Sequence, residues 1–330
     1  MKLVHLAALA FVTSLQFAQG RAFAADAGFR NMEVPGATPV TVALFYPTSA
    51  AAVRIPMGPF PVQVAPGAPA DQPLKGLVLV SHGTGGTELA HHDLAARLAR
   101  EGYLVAALRH PGDNWRDGRT LVAEGRYFEE RPKQASRVLD ALLASPEWRS
   151  RIPAGRIAAI GHSAGGYTVL ALAGGKPDPS RVAAHCKAVT DDAGFCALGK
   201  PGLDNVARTA PAPVDASDAR IRAVVAMAPF AAAFEPAALA AIKVPVLLYS
   251  ASLDRVLVPK YHGDALAAAM PQATYRRIEG AGHFAFMAQP TQSVPADAGD
   301  PAENPPGFDR AAFLAKLADD VVVFLEGALR

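Results

Sequence analysis

The pentapeptide Gly161-His162-Ser163-Ala164-Gly165 directly follows the apolar run Ile157-Ala158-Ala159-Ile160 and precedes the helix-forming run Tyr167 to Ala173. A chain that leaves a strand and enters a helix within so few residues must turn sharply at the centre. Glycines on either side relieve the crowding there, and the serine hydroxyl is projected above the sheet. Ser163 is therefore a candidate nucleophile. An isolated G-x-S-x-G in an alanine- and glycine-rich chain has a plainer reading, a helix N-cap serine, but here the strand before and the helix after are both present.

A serine hydroxyl is too weakly acidic to attack an acyl carbon unaided, so it needs a histidine base and a carboxylate that orients the base. Both are expected downstream, acid first. Val244 to Tyr249 reads as a buried strand, and Ser250 to Pro259 leaves it as a loop that leads to a helix around Tyr261 to Ala269. Asp254 in that loop is the candidate acid. Ala273 to Ile278 alternates as a strand does, and the glycine-rich turn Glu279-Gly280-Ala281-Gly282-His283-Phe284 presents His283, the candidate base.

Other residues of the same types fit less well. His162, beside Ser163, should point away from the hydroxyl, and His91, His92, His185 and His262 fall in helical or inserted segments. His82 and His110 end strands and read as groups that position backbone or neighbouring side chains. Asp264 falls within a helix, and Glu279 lies one register short of the glycine turn.

Developing negative charge needs donors. The apolar strand Gly76 to Ser81 runs into His82-Gly83-Thr84-Gly85-Gly86-Thr87 ahead of a helix over Leu89 to Glu101. A glycine-rich loop here lets a backbone N–H face an oxyanion, and the N–H after the nucleophile supplies a second donor. Thr84 and Ala164 are the nominees. The loop lacks the lysine of a P-loop and the spacing of a dinucleotide-binding turn, which disfavours nucleotide binding.

The His82-Gly83-Thr84-Gly85 loop, the segment Gly102 to Ala107 with His110-Pro111-Gly112-Asp113, Arg131-Pro132 ahead of Val138 to Leu142, the Gly161 to Gly166 elbow and the late Asp254 and His283 together resemble the predicted dienelactone hydrolases of the α/β-hydrolase superfamily. That group is similar to the serine-dependent platelet-activating factor acetylhydrolases and, more distantly, to bacterial polyester hydrolases. The resemblance covers roughly the mature chain and implies the α/β-hydrolase fold. True dienelactone hydrolases use a cysteine nucleophile where this chain has Ser163.

Length and patterning point the same way. A chain of 330 residues that is 51% hydrophobic can bury one large core, and helical patterns alternating with apolar strands argue for a mostly parallel sheet covered on both faces. Residues 1–24, with Lys2, an apolar stretch Leu3 to Phe17 and Ala22-Phe23-Ala24, have the pattern of a secretory signal that is removed. The stretch is short for a bilayer span, and no cysteine follows it to carry a lipid, so no stable membrane anchor is expected after cleavage. Cleavage removes Lys2 and Arg21, taking the basic residues from 32 to 30 against 30 acids. A neutral mature chain, residues 25–330, gives no charge argument for nucleic acid or an anionic membrane.

The chain's two cysteines, Cys186 and Cys196, lie in an inserted segment, residues 174–220, that is too long for a tight connection and is expected to form a small cap or an excursion over the site. In an exported protein they form a natural disulfide, and their spacing offers too few ligands for a metal. Phe230, where the strand Ala223 to Met227 ends, lines a substrate pocket or packs in the core. The expectation is a periplasmic or secreted serine ester hydrolase that acts on a small-molecule or lipid-like ester without metal or organic cofactor. Amide or thioester hydrolysis, acyl transfer and a non-catalytic scaffold are the other readings.

Overall fold

In the computed structural model, which describes residues 25–118, 120–198 and 213–330, the apolar runs pair into one sheet. Its strands are β1 (Asp26–Val34), β2 (Val40–Thr48), β3 (Val53–Met57), β4 (Phe60–Pro66), β5 (Gly76–Ser81), β6 (Tyr103–Arg109), β7 (Ile157–His162), β8 (Ala223–Met227), β9 (Val246–Ala251) and β10 (Thr274–Ile278). Their order is β10-β9-β8-β7-β5-β6-β2-β1-β4-β3. From β10 to β6 every pairing is parallel, whereas β2 joins β6 and β1 joins β2 in antiparallel register.

The central strands β5, β7, β8 and β9 are buried at every position and mostly apolar because both their faces are covered. Leu77, Leu79, Ala159 and Val224 face a layer that contains α2 (Tyr127–Ala144) and α3 (Ala164–Leu172). Val78, Val80, Ile160 and Val225 face a layer with α1 (His92–Arg100) and α6 (Arg310–Ala328). The edge strand β10 is different. Its Arg276 and Arg277 are exposed and charged, which protects an open edge from pairing with another chain.

The strands expected over Gly76 to Ser81 and Ala223 to Met227 are found with those bounds. Two helices differ from expectation. Leu89 to Glu101 becomes helical only at His92, because tight turns occupy residues 87–91. Tyr261 to Ala269 splits into a 3-10 turn, Pro259–Tyr261, and α5, Gly263–Ala269, since His262 between them leaves helical geometry. Pro132 sits inside α2 and cannot bond the Phe128 carbonyl one turn back; the Tyr167 hydroxyl of α3 donates to that carbonyl instead, at 2.5 Å. The expected leader, residues 1–24, and residues 199–212 of the inserted segment lie outside the described residues.

Candidate active site

Ser163 stands between the end of β7 and the start of α3 with φ 56° and ψ −117°, a backbone conformation that an L-residue holds only under constraint. The surrounding glycines make that possible through close approach. A Cβ on Gly161 would lie 2.0 Å from the Gly165 carbonyl oxygen, and one on Gly165 would lie 1.9 Å from that of Ser81. The elbow is pinned from below, where the Ser163 N–H donates to the Met227 carbonyl at 2.9 Å. Ser163 remains partly exposed.

Asp254 and His283 come from neighbouring loops beyond β9 and β10. His283 Nδ1 donates to Asp254 Oδ2 at 2.7 Å, which leaves Nε2 free as an acceptor, and both residues are only 6% exposed. Asp254 Oδ1 accepts from the N–H groups of Val256 and Leu257 at 2.9 and 2.8 Å, so neither carboxylate oxygen can swing away. The two loops are also joined directly, Leu253 N–H to the Ala281 carbonyl at 2.8 Å and Gly280 N–H to Ser252 Oγ at 2.9 Å. Asp264 instead takes bonds from Tyr275 and Arg277, and Glu279 is exposed beside Arg277.

His162 does more than point away from Ser163. Its Nε2–H donates to the His283 carbonyl at 2.9 Å, and the two rings pack at 4.9 Å, which links the elbow to the loop carrying His283. Behind them His91 packs on His162 at 5.5 Å. Burial, assisted by neighbouring histidines, holds His162 well below the usual imidazole range, and burial brings His91 down to about 4. Both rings are therefore neutral at pH 7.

The loop at the C-terminal end of β5 approaches the elbow closely, and a Cβ on Gly83 would lie 3.3 Å from Ser163 Cβ. Its own carbonyl and amide groups are largely committed. His82 Nε2 accepts from the His110 N–H at 3.1 Å, so its Nδ1 carries the proton and donates to the Gly83 carbonyl at 2.6 Å. The Gly85 N–H donates to Asp113 Oδ1 at 2.9 Å. Thr84 lies between them, with its N–H unpartnered among the described residues and its hydroxyl 2.9 Å from that of Tyr127. Ala164 opens α3, so its N–H has no intrahelical acceptor.

Sequence reasoning noticed Asp113 and Arg131 but gave neither a role. They form an ion pair at 2.5 Å with both side chains wholly buried. Arg131 also donates to the His82 carbonyl, to Ser81 Oγ at 3.1 Å and to Thr168 Oγ1 at 3.1 Å. His110 completes the group, with Nδ1 donating to Gln134 Oε1 and Nε2 facing Ser81 Oγ, each at 2.8 Å. A buried arginine is costly unless its donors are met, and this one directs them to Asp113, to the end of β5 and its loop, and to Thr168 on α3.

Cys186, on α4 (Pro179–Ala188), and Cys196 are joined in a disulfide. The turn between them carries Asp191 and Asp192. Asp192 is buried and accepts from His185 and His262 at 2.7 and 2.8 Å and from the Val258 N–H at 3.2 Å. These three side chains are close enough to suggest metal ligands. Hydrogen-bond direction argues otherwise. His262 Nδ1 accepts the Ala231 N–H at 3.0 Å, so Nε2 must carry the proton that it gives to Asp192 and has no lone pair for a metal. The group is a clip that fastens the inserted segment to the loop bearing Asp254. Phe230 is buried, stacked on Tyr167 at 4.8 Å and packed near Phe128 and Phe195.

Residues 77–296 match the model of the alpha/beta hydrolase family. The chain belongs to that family. The matched span runs from β5 past His283 and contains every site residue named above; it is broader than the dienelactone hydrolase-like grouping. Over 105 residues the chain is 34% identical to Cutinase est1 and to Cutinase est2 of Thermobifida alba, covering 31% of this chain and 32% and 31% of theirs. It thus spans about a third of the length of these relatives. Among solved structures it resembles a ferulic acid esterase from Streptomyces cinnamoneus, with TM-score 0.60, 21% identity and coverage of 95% and 92%. It also resembles a puromycin-hydrolyzing peptidase of Mycobacterium tuberculosis, with TM-score 0.53, 15% identity and coverage of 91% and 39%. At these identities the likeness is one of fold.

Proposed function

We propose that this alpha/beta hydrolase is a serine-dependent carboxylic ester hydrolase. The observation that carries the reading is the constrained Ser163 elbow beside a buried His283–Asp254 pair whose remaining imidazole nitrogen is free to accept a proton. In this reading Ser163 Oγ attacks the ester carbonyl while His283 Nε2 takes its proton and then returns it to the leaving alcohol. Asp254 holds the imidazole in the required tautomer and stabilises the imidazolium. The Thr84 and Ala164 N–H groups receive the oxyanion, and water releases the acyl-enzyme by the same route.

The local identity to cutinases favours a small-molecule or lipid-like ester over an amide. Phe230, three residues beyond the end of β8, would lie in the floor of the pocket. The Cys186–Cys196 bridge suits an oxidising compartment, periplasmic or extracellular, and agrees with the leader read from residues 1–24. A panel of p-nitrophenyl esters and the matching anilides tests the reading. Ester turnover that disappears in Ser163→Ala, with anilides far slower, is the expected result; equal turnover by the variant overturns it.

A further inference from the structure

The Ser163 reading leaves open what fixes the distance between the two oxyanion donors, which sit on separate elements. Thr84 belongs to the loop after β5 and Ala164 to the first turn of α3. Neither is anchored by its own side chain to the other. The N–H groups must nevertheless converge on one oxygen, because a donor displaced by an ångström stabilises the charge far less.

One guanidinium reaches both elements. Arg131 Nη2 donates to the His82 carbonyl, and Arg131 Nη1 holds Asp113, whose second oxygen takes the Gly85 N–H at 2.9 Å. The loop is thereby tied to Arg131 on both sides of Thr84, at the His82–Gly83 peptide before it and at the Thr84–Gly85 peptide after it. On the elbow side, Arg131 Nε donates to Thr168 Oγ1 at 3.1 Å, and that hydroxyl donates onward to the Ala164 carbonyl at 2.9 Å. Arg131, Asp113, His82, Thr168 and Ala164 are all buried. The arrangement costs a buried charge pair where an apolar pair would serve packing as well, which points to geometry rather than stability as its use.

Resting on the ester hydrolase reading, we infer that Arg131, with Asp113 and Thr168, is the positioning group of the oxyanion hole: it spans the gap between the Thr84 loop and the Ala164 turn and sets their separation. It touches no reacting atom. A positioning role of this kind acts on the tetrahedral state and leaves ground-state binding alone, so it lowers kcat and spares KM.

Kinetics of wild type, Ser163→Ala, Thr168→Val, Thr168→Ser and Arg131→Lys on one p-nitrophenyl ester test this, alongside thermal midpoints. Thr168→Val preserves shape and removes only the hydroxyl relay. It should lower kcat by about 3- to 10-fold with KM within about 2-fold, and Thr168→Ser should restore kcat, since losing a whole oxyanion donor costs on the order of 10²- to 10³-fold. Arg131→Lys keeps the charge but loses the fork, and should lower kcat further, again without raising KM. If Arg131→Lys does not fold, the Thr168 pair still decides. Unchanged kcat in Thr168→Val, a loss that serine does not restore, or a loss carried by KM overturns the inference. If Ser163→Ala is as active as wild type, the ester hydrolase reading falls and the inference falls with it. If Ser163→Ala is inactive while Thr168→Val is normal, only the positioning role is lost.

Discussion

The two flanks of Ser163 are held by different physics. On the Thr84 side the loop is bolted to the core by a buried ion pair, Asp113–Arg131, and by His82 and His110, which burial keeps neutral and which bond the Gly83 carbonyl, each other and Gln134. On the Asp254 side the loop is joined to the His283 turn by backbone bonds, and outside it lies the inserted segment, closed on itself by a disulfide and fastened by the Asp192 clip and the surface pair Asp191–Lys260. The first flank is a partly exposed loop held from beneath by wholly buried charged and polar side chains. The second grades outward into the inserted segment, which meets the Asp254 side through the Asp192 hydrogen bonds and a surface ion pair.

The largest expected effect separates the acid from its neighbours on the second flank. Asp254→Asn removes the acceptor that fixes the His283 tautomer and should lower kcat by about 10⁴-fold, as loss of the orienting carboxylate does in a serine triad. Asp264→Asn, which disturbs only Tyr275 and Arg277, should change kcat little. Steady-state kinetics on one ester decide it, and equal losses at both positions would move the acid elsewhere.

On the first flank, Asp113→Asn leaves the Arg131 charge buried and unpaired and should destabilise the fold by about 3–5 kcal/mol, measured by urea unfolding. A change under about 1 kcal/mol, the size of a surface pair, would erase the contrast between the flanks. Removing the bridge by Cys186→Ser with Cys196→Ser should cost roughly 3 kcal/mol or less in the chain-entropy estimate and alter preference between short and long acyl chains while sparing turnover of a small acetate ester. Identical loss of turnover on every ester would show that the inserted segment is part of the chemistry.

The last effect is on the pH dependence of stability. His91 and His92 are each held down to about 4 by burial, whereas a histidine in the unfolded chain takes its proton near 6.5. Between those values the unfolded chain binds more protons than the native one. Their contribution to stability is complete above about pH 6.5 and is lost as pH falls towards 4. The thermal midpoint should decline across that window on acidification; a flat profile contradicts the neutral, buried assignment.

What was legible in the sequence follows from what each residue signals locally. The elbow, β5, β8 and the loops carrying Asp254 and His283 announce themselves through glycine spacing and apolar runs, which are properties of contiguous sequence. Strands β1 to β4 carry no such local signal, because their mixed antiparallel and parallel partners are fixed by pairing across the chain. Arg131 lies in a helix with an ordinary charged pattern, and only the fold brings it 50 residues back to Ser81 and 18 back to Asp113. His162 illustrates the same limit. Its neighbour Ser163 could be found from the motif, but its bond to the carbonyl of His283, 121 residues away, could not.

The central claim, that Ser163 is the nucleophile activated by the His283–Asp254 pair, is tested most directly by covalent capture. The wild-type protein is treated with a fluorophosphonate, digested and mapped by mass spectrometry, with His283→Ala treated in parallel. The account predicts a single phosphonate on the peptide containing Ser163 and labelling slowed by orders of magnitude in His283→Ala. A label on any other residue, or Ser163 labelled as fast without His283, contradicts it.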